Sequence, residues 1–193
     1  AIAAKEAGAK SVLVLEKGPG FGGTSALSGG IFWLPMNYAM KDAGIEDNRE
    51  DAFKYLKIIT EGQSTDELIN ACRDYSPVVA EWMRDTVGIT WEVGPNVNDY
   101  YQVAGYRPVG RSIRPFRDGK SLRGMGTWQR LRELCDEMGI EVMLDTAGKQ
   151  LVTNEAGEVV GLIATSGGAD IAIKAHKGVI LGTGGFDHNK EMT

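Results

Sequence analysis

The stretch that decides the fold covers residues 12–35 and has the sequence VLVLEKGPGFGGTSALSGGIFWLP. Its first four residues are apolar, and a short apolar run of this kind is typical of a buried parallel strand. The run ends in an acid, Glu16, which Lys17 and a glycine-rich loop follow. An acid at the end of the second strand of a dinucleotide-binding fold binds the hydroxyl groups of a ribose. The stretch therefore predicts part of a nucleotide-binding site.

Glycines and small hydroxyl residues come after the acid. Glycine lets the backbone approach a phosphate closely, and the N–H groups at a helix start can bind it. Thr24 is predicted to cap such a helix. Paired glycines at 29 and 30 suit a flat or large ligand, although they are also common in tight turns. The residues expected at the cofactor in this stretch are Glu16, Lys17, Gly22, Gly23, Thr24, Ser25, Ser28, Gly29 and Gly30.

The order of these residues resembles the second βα unit of FAD-dependent flavoproteins of the fumarate reductase and 3-ketosteroid dehydrogenase superfamily. In that family an acid–lysine pair precedes Gly-Gly-Thr/Ser-Ser and Ser-Gly-Gly, as it does here. The resemblance implies an α/β fold, a Rossmann-like FAD-binding domain. It also implies a strand and a G-x-G-x-x-G loop before the helix of residues 1–8. Neither is present in the sequence, so we expect an incomplete FAD-binding domain from a longer flavoprotein.

Composition excludes several other classes of protein. The 193 residues are 42% hydrophobic and 24% charged, as in a soluble domain with a real core. A net charge of −5 argues against nucleic-acid binding. Two distant cysteines and two histidines predict no metal site. No apolar run reaches the roughly 18 residues of a transmembrane helix, and residues 1–9 do not resemble a signal peptide, which predicts a cytoplasmic protein.

A helical block interrupts the α/β pattern over residues 37–88. Its last helix is predicted to begin with Ser76 as the cap and Pro77 in the first position. By resemblance, this block is the linker toward a substrate domain. We therefore divide the chain into a first part of the FAD-binding domain (residues 1–36), a helical linker with the start of the substrate-binding portion (residues 37–126), and a second part of the FAD-binding domain (residues 127–193).

The last part returns to the α/β pattern. Thr127 is predicted to cap a helix over residues 128–138, which a strand follows. Three β runs separated by turn sequences predict a three-stranded β-meander, and residues 178–181 predict one more buried strand. In the resembling family, a residue near the start of the meander and the glycine loop after the last strand contact the adenosine and pyrophosphate of FAD. These positions correspond to Ala147, Thr183, Gly184 and Gly185.

One segment resembles 3-ketosteroid dehydrogenases in particular. Asp99-Tyr100-Tyr101 precedes a Gly-Arg-Ser-x-x-Pro sequence and an Asp-Gly pair. In that family the tyrosine of the Asp-Tyr pair lies on the steroid side of the flavin and works with a second, proton-removing tyrosine. This makes Tyr100 the candidate catalytic residue, and the alternative is an ordinary aromatic residue of a β-ribbon. A tyrosine can act as a base if its pKa is lowered or its proton is relayed, and Tyr101 suits a relay.

The resemblance implies an FAD-dependent dehydrogenase that creates a C=C bond next to the ketone of a 3-oxosteroid. It would do so by proton abstraction and hydride transfer to flavin N5, and it would pass electrons to an external acceptor. One alternative is a fumarate-reductase-like flavoprotein that reduces a small unsaturated acid. Its carboxylate clamp could come from Arg107, Arg111, Arg114 and Arg117. Another alternative is a truncated, cofactor-free fragment without activity.

Overall fold

The computed structural model describes residues 1–94, 98–185 and 189–192. The chain forms two compact units, of which the first contains Ala1–Lys10 and Phe21–Ile140 and the second contains Ser11–Gly20 and Glu141–Thr193. The strand and acid of the quoted stretch therefore belong to the second unit. Its glycines and hydroxyl residues from position 21 onward belong to the first unit.

The helices of the first unit follow the apolar periodicity of the sequence. Asn37, Asn48 and Thr65 each accept a hydrogen bond from a backbone N–H of the helix that they precede, which stabilises a helix start. Three helices lie within the block of residues 37–88, which was predicted to be helical. The helices are α1 (Ile2–Glu6), α2 (Gly23–Leu27), α3 (Tyr38–Asp42), α4 (Arg49–Ile59), α5 (Asp66–Trp82) and α6 (Arg123–Glu137).

The helix predicted to begin at Ser76 is instead the second half of α5. Pro77 lies inside α5, and the helix continues into a π-helical turn at Met83–Val87. The buried Ser76 hydroxyl donates to the carbonyl of Cys72 at 2.6 Å. A serine inside a helix bonds the carbonyl one turn earlier in this way. The prediction of a cap was wrong because this local bond and the burial of the helix face outweigh the loss of one backbone N–H.

Two threonine caps were also predicted wrongly. Helix α2 begins at Gly23, and its N-cap is Gly22, which has a φ of 108°. Thr24 therefore lies inside the helix. Helix α6 begins four residues before Thr127, whose hydroxyl donates to the carbonyl of Arg123 at 2.7 Å. Both helices start before the threonine that was expected to cap them. The residues that precede Thr24 pack against α6, and those that precede Thr127 pack against α2 and the loop after it.

An antiparallel sheet completes the first unit. Strand β4 (Ser112–Arg117) lies between β2 (Phe32–Trp33) and β3 (Thr90–Val93), and it also pairs with the short β5 (Lys120–Ser121). The buried side chains of Ile89, Trp91 and Ile113 form part of the core beneath this sheet.

The second unit contains two separate sheets. Strand β1 (Leu13–Leu15) pairs in parallel with β6 (Glu141–Met143). Strands β7 (Thr146–Thr153), β8 (Val159–Ser166) and β9 (Ala169–Lys174) form an antiparallel meander. The predicted strand after residue 11, the strand after α6 and the three-stranded meander are confirmed.

The strand predicted at residues 178–181 does not form. Ile180 is 86% exposed and Leu181 is 64% exposed. Within the described ranges no strand pairs with this run. Backbone N–H and C=O groups need a neighbouring strand or water as partners, so an apolar sequence by itself does not form a buried strand.

Two further features concern the described part of the chain. Its helices are too short or too polar to cross a membrane. The same residues bring together no group of three or more histidine, cysteine or acidic side chains that could hold a metal ion.

Candidate functional site

The first unit contains a cleft of about 450 Å³. Residues of α2, the loop after it, β2 and α6 form its walls. Three of the predicted cofactor residues lie here, whereas the α6 residues were missed as ligand contacts because nothing in their local sequence marks them. The lining residues are Ser25, Ser28, Gly30, Ile31, Phe32, Trp33, Gly124, Thr127 and Trp128.

The two predicted serines have different surroundings. The Ser28 hydroxyl donates to the carbonyl of Ser25 at 2.7 Å and accepts from the N–H of Gly30 at 3.1 Å. It therefore holds the loop in shape. The Ser25 hydroxyl is exposed and has no hydrogen-bond partner among the residues described. Ser25 is the hydroxyl that a ligand in the cleft can use.

Two of the predicted glycines are needed for packing against α6. A Cβ on Gly30 would lie 2.4 Å from the carbonyl carbon of Arg123, and one on Gly22 would lie 2.7 Å from Cγ of Trp128. Both glycines also have positive φ, 73° and 108°, which disfavours other residues. The N–H of Gly124 donates to the carbonyl of Ser28 at 3.1 Å. The glycine-rich loop is thus fitted closely to the start of α6.

The other two glycines of the loop have open space where a side chain would be. A Cβ on Gly23 would meet no atom within 4 Å, and one on Gly29 would meet only the Ile31 side chain at 4.0 Å. Packing of the chain does not require glycine at position 29. Close approach of a ligand to the backbone would require glycine at position 29, so Gly29 fits the predicted contact with a cofactor. Gly23 has a φ of 50°, which favours glycine for the backbone conformation alone.

Aromatic rings line one wall of the cleft. Phe32 packs against Trp91 with ring centroids 4.8 Å apart, and Trp33 stacks on Tyr55 at 5.6 Å. Trp128 meets Phe21 edge to face at 5.7 Å. Such an apolar wall suits a flat ring system.

A buried ion network lies behind Trp33. Its indole N–H donates to Asp99 Oδ1 at 2.6 Å, and Arg111 Nη1 donates to Asp99 Oδ2 at 3.0 Å. Arg111 also forms two bonds with Asp47, at 2.9 and 2.7 Å. Burial by itself lowers the pKa of Arg111, but Asp47 and Asp99 more than offset this and raise it. The sequence analysis missed the network because Asp47 and Arg111 are 64 positions apart.

Tyr100, the candidate catalytic residue, directly follows Asp99. Its side chain is 90% exposed, and that of Tyr101 is 62% exposed. The N–H of Tyr101 lies 3.4 Å from the Tyr55 hydroxyl. Tyr100 is not among the residues that line the cleft. Its catalytic role stays a prediction.

The second unit carries Glu16 at the end of β1. Its backbone N–H donates to the carbonyl of Met143 at 2.9 Å, which extends the pairing with β6. Its carboxylate Oε1 accepts from the N–H of Gly18 at 2.8 Å, while Oε2 has no partner among the described residues. Glu16 can therefore accept a further hydrogen bond, as the ribose prediction requires. Lys17 is exposed and adds positive charge beside it.

The remaining predicted residues lie later in the second unit. Ala147 is the second residue of β7 and pairs with Thr165 of β8. Thr183, Gly184 and Gly185 lie in an exposed segment without regular structure. A Cβ on Gly184 would meet no atom within 4 Å, so its backbone is open to a ligand.

Taken residue by residue, the donors and acceptors fit the groups of FAD. The open glycines and the Ser25 hydroxyl offer access and hydrogen bonds for a phosphate. The aromatic wall suits a ring, and the Glu16 carboxylate suits ribose hydroxyls.

Comparison with known proteins also indicates FAD. The family model described as FAD binding domain matches residues 1–193. The 3-oxosteroid 1-dehydrogenase of Comamonas testosteroni is 29% identical over 99% of this chain and 45% of that protein. Urocanate reductase of Eggerthella lenta is 32% identical over 100% of this chain and 30% of that protein. The chain thus spans less than half the length of these relatives.

A solved structure confirms the fold. The 3-ketosteroid Δ1-dehydrogenase of Sterolibacterium denitrificans, solved in complex with 1,4-androstadiene-3,17-dione, matches with a TM-score of 0.89. The match covers 100% of this chain and 46% of that chain at 24% sequence identity. At this sequence identity the structural similarity shows the fold alone. It confirms the predicted α/β FAD-binding fold.

Proposed function

The chain belongs to the FAD binding domain family, and from this premise we propose that it is part of an FAD-dependent dehydrogenase that oxidises a C–C bond next to the ketone of a 3-oxosteroid. The observation that carries the proposal is the loop between Gly22 and Gly30. This loop is held against α6 by two glycines and leaves two others open beside a cleft with an aromatic wall. The 3-oxosteroid 1-dehydrogenase relative supports the substrate class.

Residues of the chain would hold the cofactor by simple hydrogen bonding. The Ser25 hydroxyl and the N–H groups at the start of α2 would donate to a phosphate, since the first N–H groups of a helix have no partner within it. Glu16 would accept from the ribose hydroxyls. The backbones of Ala147 and of Thr183, Gly184 and Gly185 would contact the adenosine and pyrophosphate. When bound, FAD supplies the redox chemistry by accepting a hydride.

Tyr100 would act on the substrate together with a second tyrosine of the complete protein, which removes the proton. A carbonyl acidifies the C–H of the neighbouring carbon, and the Tyr100 hydroxyl would assist the transfer of that proton as the C=C bond forms. The side chain of Tyr100 is exposed, so it needs a substrate or a further residue beside it to take part in this transfer. The electrons would then pass to an external acceptor.

The second candidate is a flavoprotein that reduces a small unsaturated acid, which the urocanate reductase relative favours. Such an enzyme needs free cations to bind carboxylates. Arg111 is fully committed to Asp47 and Asp99, and Arg107 donates to Asp51 at 2.6 Å. Arg117 donates to Glu133 at 3.0 Å. Of the four candidate arginines, Arg114 alone has no ion-pair partner in the described part, so these residues support the dehydrogenase more than the reductase.

Flavin binding tests the proposal first. The purified chain is mixed with FAD, freed of excess FAD and examined for the visible flavin absorption bands. Retained flavin with quenched fluorescence supports the proposal, and a colourless preparation supports the third possibility, a cofactor-free fragment.

Substrate choice is tested next, with the complete protein under anaerobic conditions. Bleaching of the flavin by a 3-oxosteroid supports the dehydrogenase. Reoxidation of chemically reduced flavin by urocanate or fumarate, without bleaching by steroids, supports the reductase.

A further inference from the structure

Asp99 connects the wall of the cleft with the segment that carries Tyr100. We call residues 98–107 the arm. One carboxylate oxygen of Asp99 accepts from the Trp33 indole at 2.6 Å, and Trp33 lines the cleft. The other oxygen accepts from the backbone N–H of Arg107 at 2.9 Å, and the N–H of Asp99 donates to the Arg107 carbonyl at 3.2 Å. Asp99 thus bonds the cleft wall through its side chain and joins the two ends of the arm through its side chain and its backbone N–H.

The arm is also attached to α4, to Asp47 and to Arg111. Arg107 Nε lies 3.6 Å from the Asp47 carboxylate, and Arg111 Nη1 donates to the Gly105 carbonyl at 2.8 Å. A Cβ on Gly105 would lie 2.2 Å from the carbonyl oxygen of Asp51, so the two backbones are in close contact. Arg107 donates to the Asp51 carboxylate at 2.6 Å. Tyr101 bonds Tyr55 through its N–H, and no side-chain bond of Tyr100 is found among the described residues. Tyr100 therefore lies between two attached neighbours, Asp99, which bonds Trp33, and Tyr101, which bonds Tyr55.

The bond between Trp33 and Asp99 is sensitive to movement of the indole. Asp99 is only 2% exposed, so water cannot easily replace a lost donor. The indole has one N–H and donates to this carboxylate alone. A rotation of the Trp33 ring would remove one of the three donors to Asp99.

We propose that Asp99 is a positioning residue that couples the Trp33 wall of the cleft to the arm bearing Tyr100, so that a ligand in the cleft fixes the position of Tyr100. The proposal rests on the proposed function for two points: that Tyr100 is a catalytic residue, and that FAD is the ligand of the cleft. The coupling itself is a property of the chain without a ligand.

Hydrogen exchange of the ligand-free chain tests the coupling. Trp33→Phe removes the indole N–H but keeps an aromatic ring against Tyr55. We expect the amides of Asp99 and Arg107 to exchange about tenfold faster or more, relative to amides of α4. The matched control is Trp91→Phe, which removes the indole bond to the Ala80 carbonyl at 3.2 Å in the same unit. It should leave the ratio of arm to α4 exchange unchanged, and an unchanged ratio in Trp33→Phe would overturn the proposal.

The wild-type chain provides a measurement that no folding defect can affect. The Trp33 indole N–H and the arm amides should exchange at matching rates in nuclear magnetic resonance spectra, because one opening exposes both. Unrelated rates would contradict the coupling.

Addition of FAD separates positioning from simple stabilisation. In the wild type, FAD should slow exchange in the arm, and in Trp33→Phe it should slow it much less at equal saturation. Equal slowing in both proteins would rule out transmission through Asp99. If FAD does not bind, the proposed function fails, and the ligand-free experiment still decides the role of Asp99.

Discussion

Arg111 and Asp47 form a bidentate ion pair with hydrogen bonds of 2.9 and 2.7 Å, and both side chains are buried. The Cζ atom of Arg111 lies 5.6 Å from the centroid of the Trp33 ring and 5.7 Å from that of Tyr55. The pair therefore joins the loop before α4 to the start of β4 behind the aromatic wall of the cleft.

Removal of the buried cation should be costly. Arg111→Met keeps most of the volume but leaves Asp47 and Asp99 without their partner, and breaking a buried pair in this way costs about 3–5 kcal/mol. Urea unfolding followed by circular dichroism measures the loss. As a control, Arg132→Met removes the surface pair with Asp136 and should cost less than about 1 kcal/mol. Equal, small losses in the two variants would show that the network contributes little to stability.

Neighbouring glycines should respond differently to alanine. Gly30→Ala places a methyl group 2.4 Å from the Arg123 backbone and should lower stability by more than about 1 kcal/mol. Gly29→Ala has open space and should change stability by less than about 0.5 kcal/mol while weakening FAD binding. Thermal unfolding and FAD titration separate the two effects. Unchanged FAD affinity in a folded Gly29→Ala variant would contradict contact between this backbone and the cofactor.

Acid should weaken the attachment of the arm to α4. Hydrogen bonds from Asn48 and then from Arg107 hold the pKa of Asp51 below its ordinary value. The folded chain thus keeps Asp51 ionised at a pH where the unfolded chain binds a proton. Its contribution is present above the ordinary aspartate pKa and is lost as the pH falls through that value toward the lowered one.

Urea midpoints measured from neutral pH down to pH about 3 test this contribution. Asp51→Asn should be less stable than the wild type at neutral pH, and the difference should shrink as the pH falls. The exposed Asp42→Asn serves as the control. A difference that is constant with pH would exclude ionisation of Asp51 as its cause.

Loss of the Tyr100 hydroxyl should affect chemistry and leave flavin binding intact. General acid–base groups contribute about 100-fold or more to a rate, so Tyr100→Phe in the complete protein should lower kcat for 3-oxosteroid dehydrogenation by at least that factor. Steady-state kinetics and the flavin spectrum measure the two properties. Tyr75→Phe, on the exposed face of α5, is the matched control. Unchanged dehydrogenation in Tyr100→Phe would end its assignment as a catalytic residue.

Local pattern was sufficient for much of the fold. The apolar run ending at Leu15, the periodicity of α4 and the turn-separated runs of the meander each predict their element, because each pattern is complete within a few residues. Helix starts were less predictable. Thr24, Ser76 and Thr127 all look like caps, yet each lies inside a helix, because packing around the preceding residues extends the helix backward.

In the candidate site, too, short sequence patterns predict some features and packing decides others. Glu16 and the glycine-rich loop carry a spacing that identifies the family without any structure. The spacing does not distinguish Gly30, which the α6 backbone requires, from Gly29, which has open space. That distinction depends on which segment packs against the loop, and the segment is more than 90 positions away.

The sequence by itself determined the α/β family, the cofactor and the residue types offered to it, since these depend on short, contiguous patterns. Only the tertiary structure decided which glycines are structural, which serine is available and which arginines are already neutralised. It also placed Asp99 between Trp33 and Arg111, because hydrogen bonds and ion pairs between residues distant in the chain exist only once folding has brought them together.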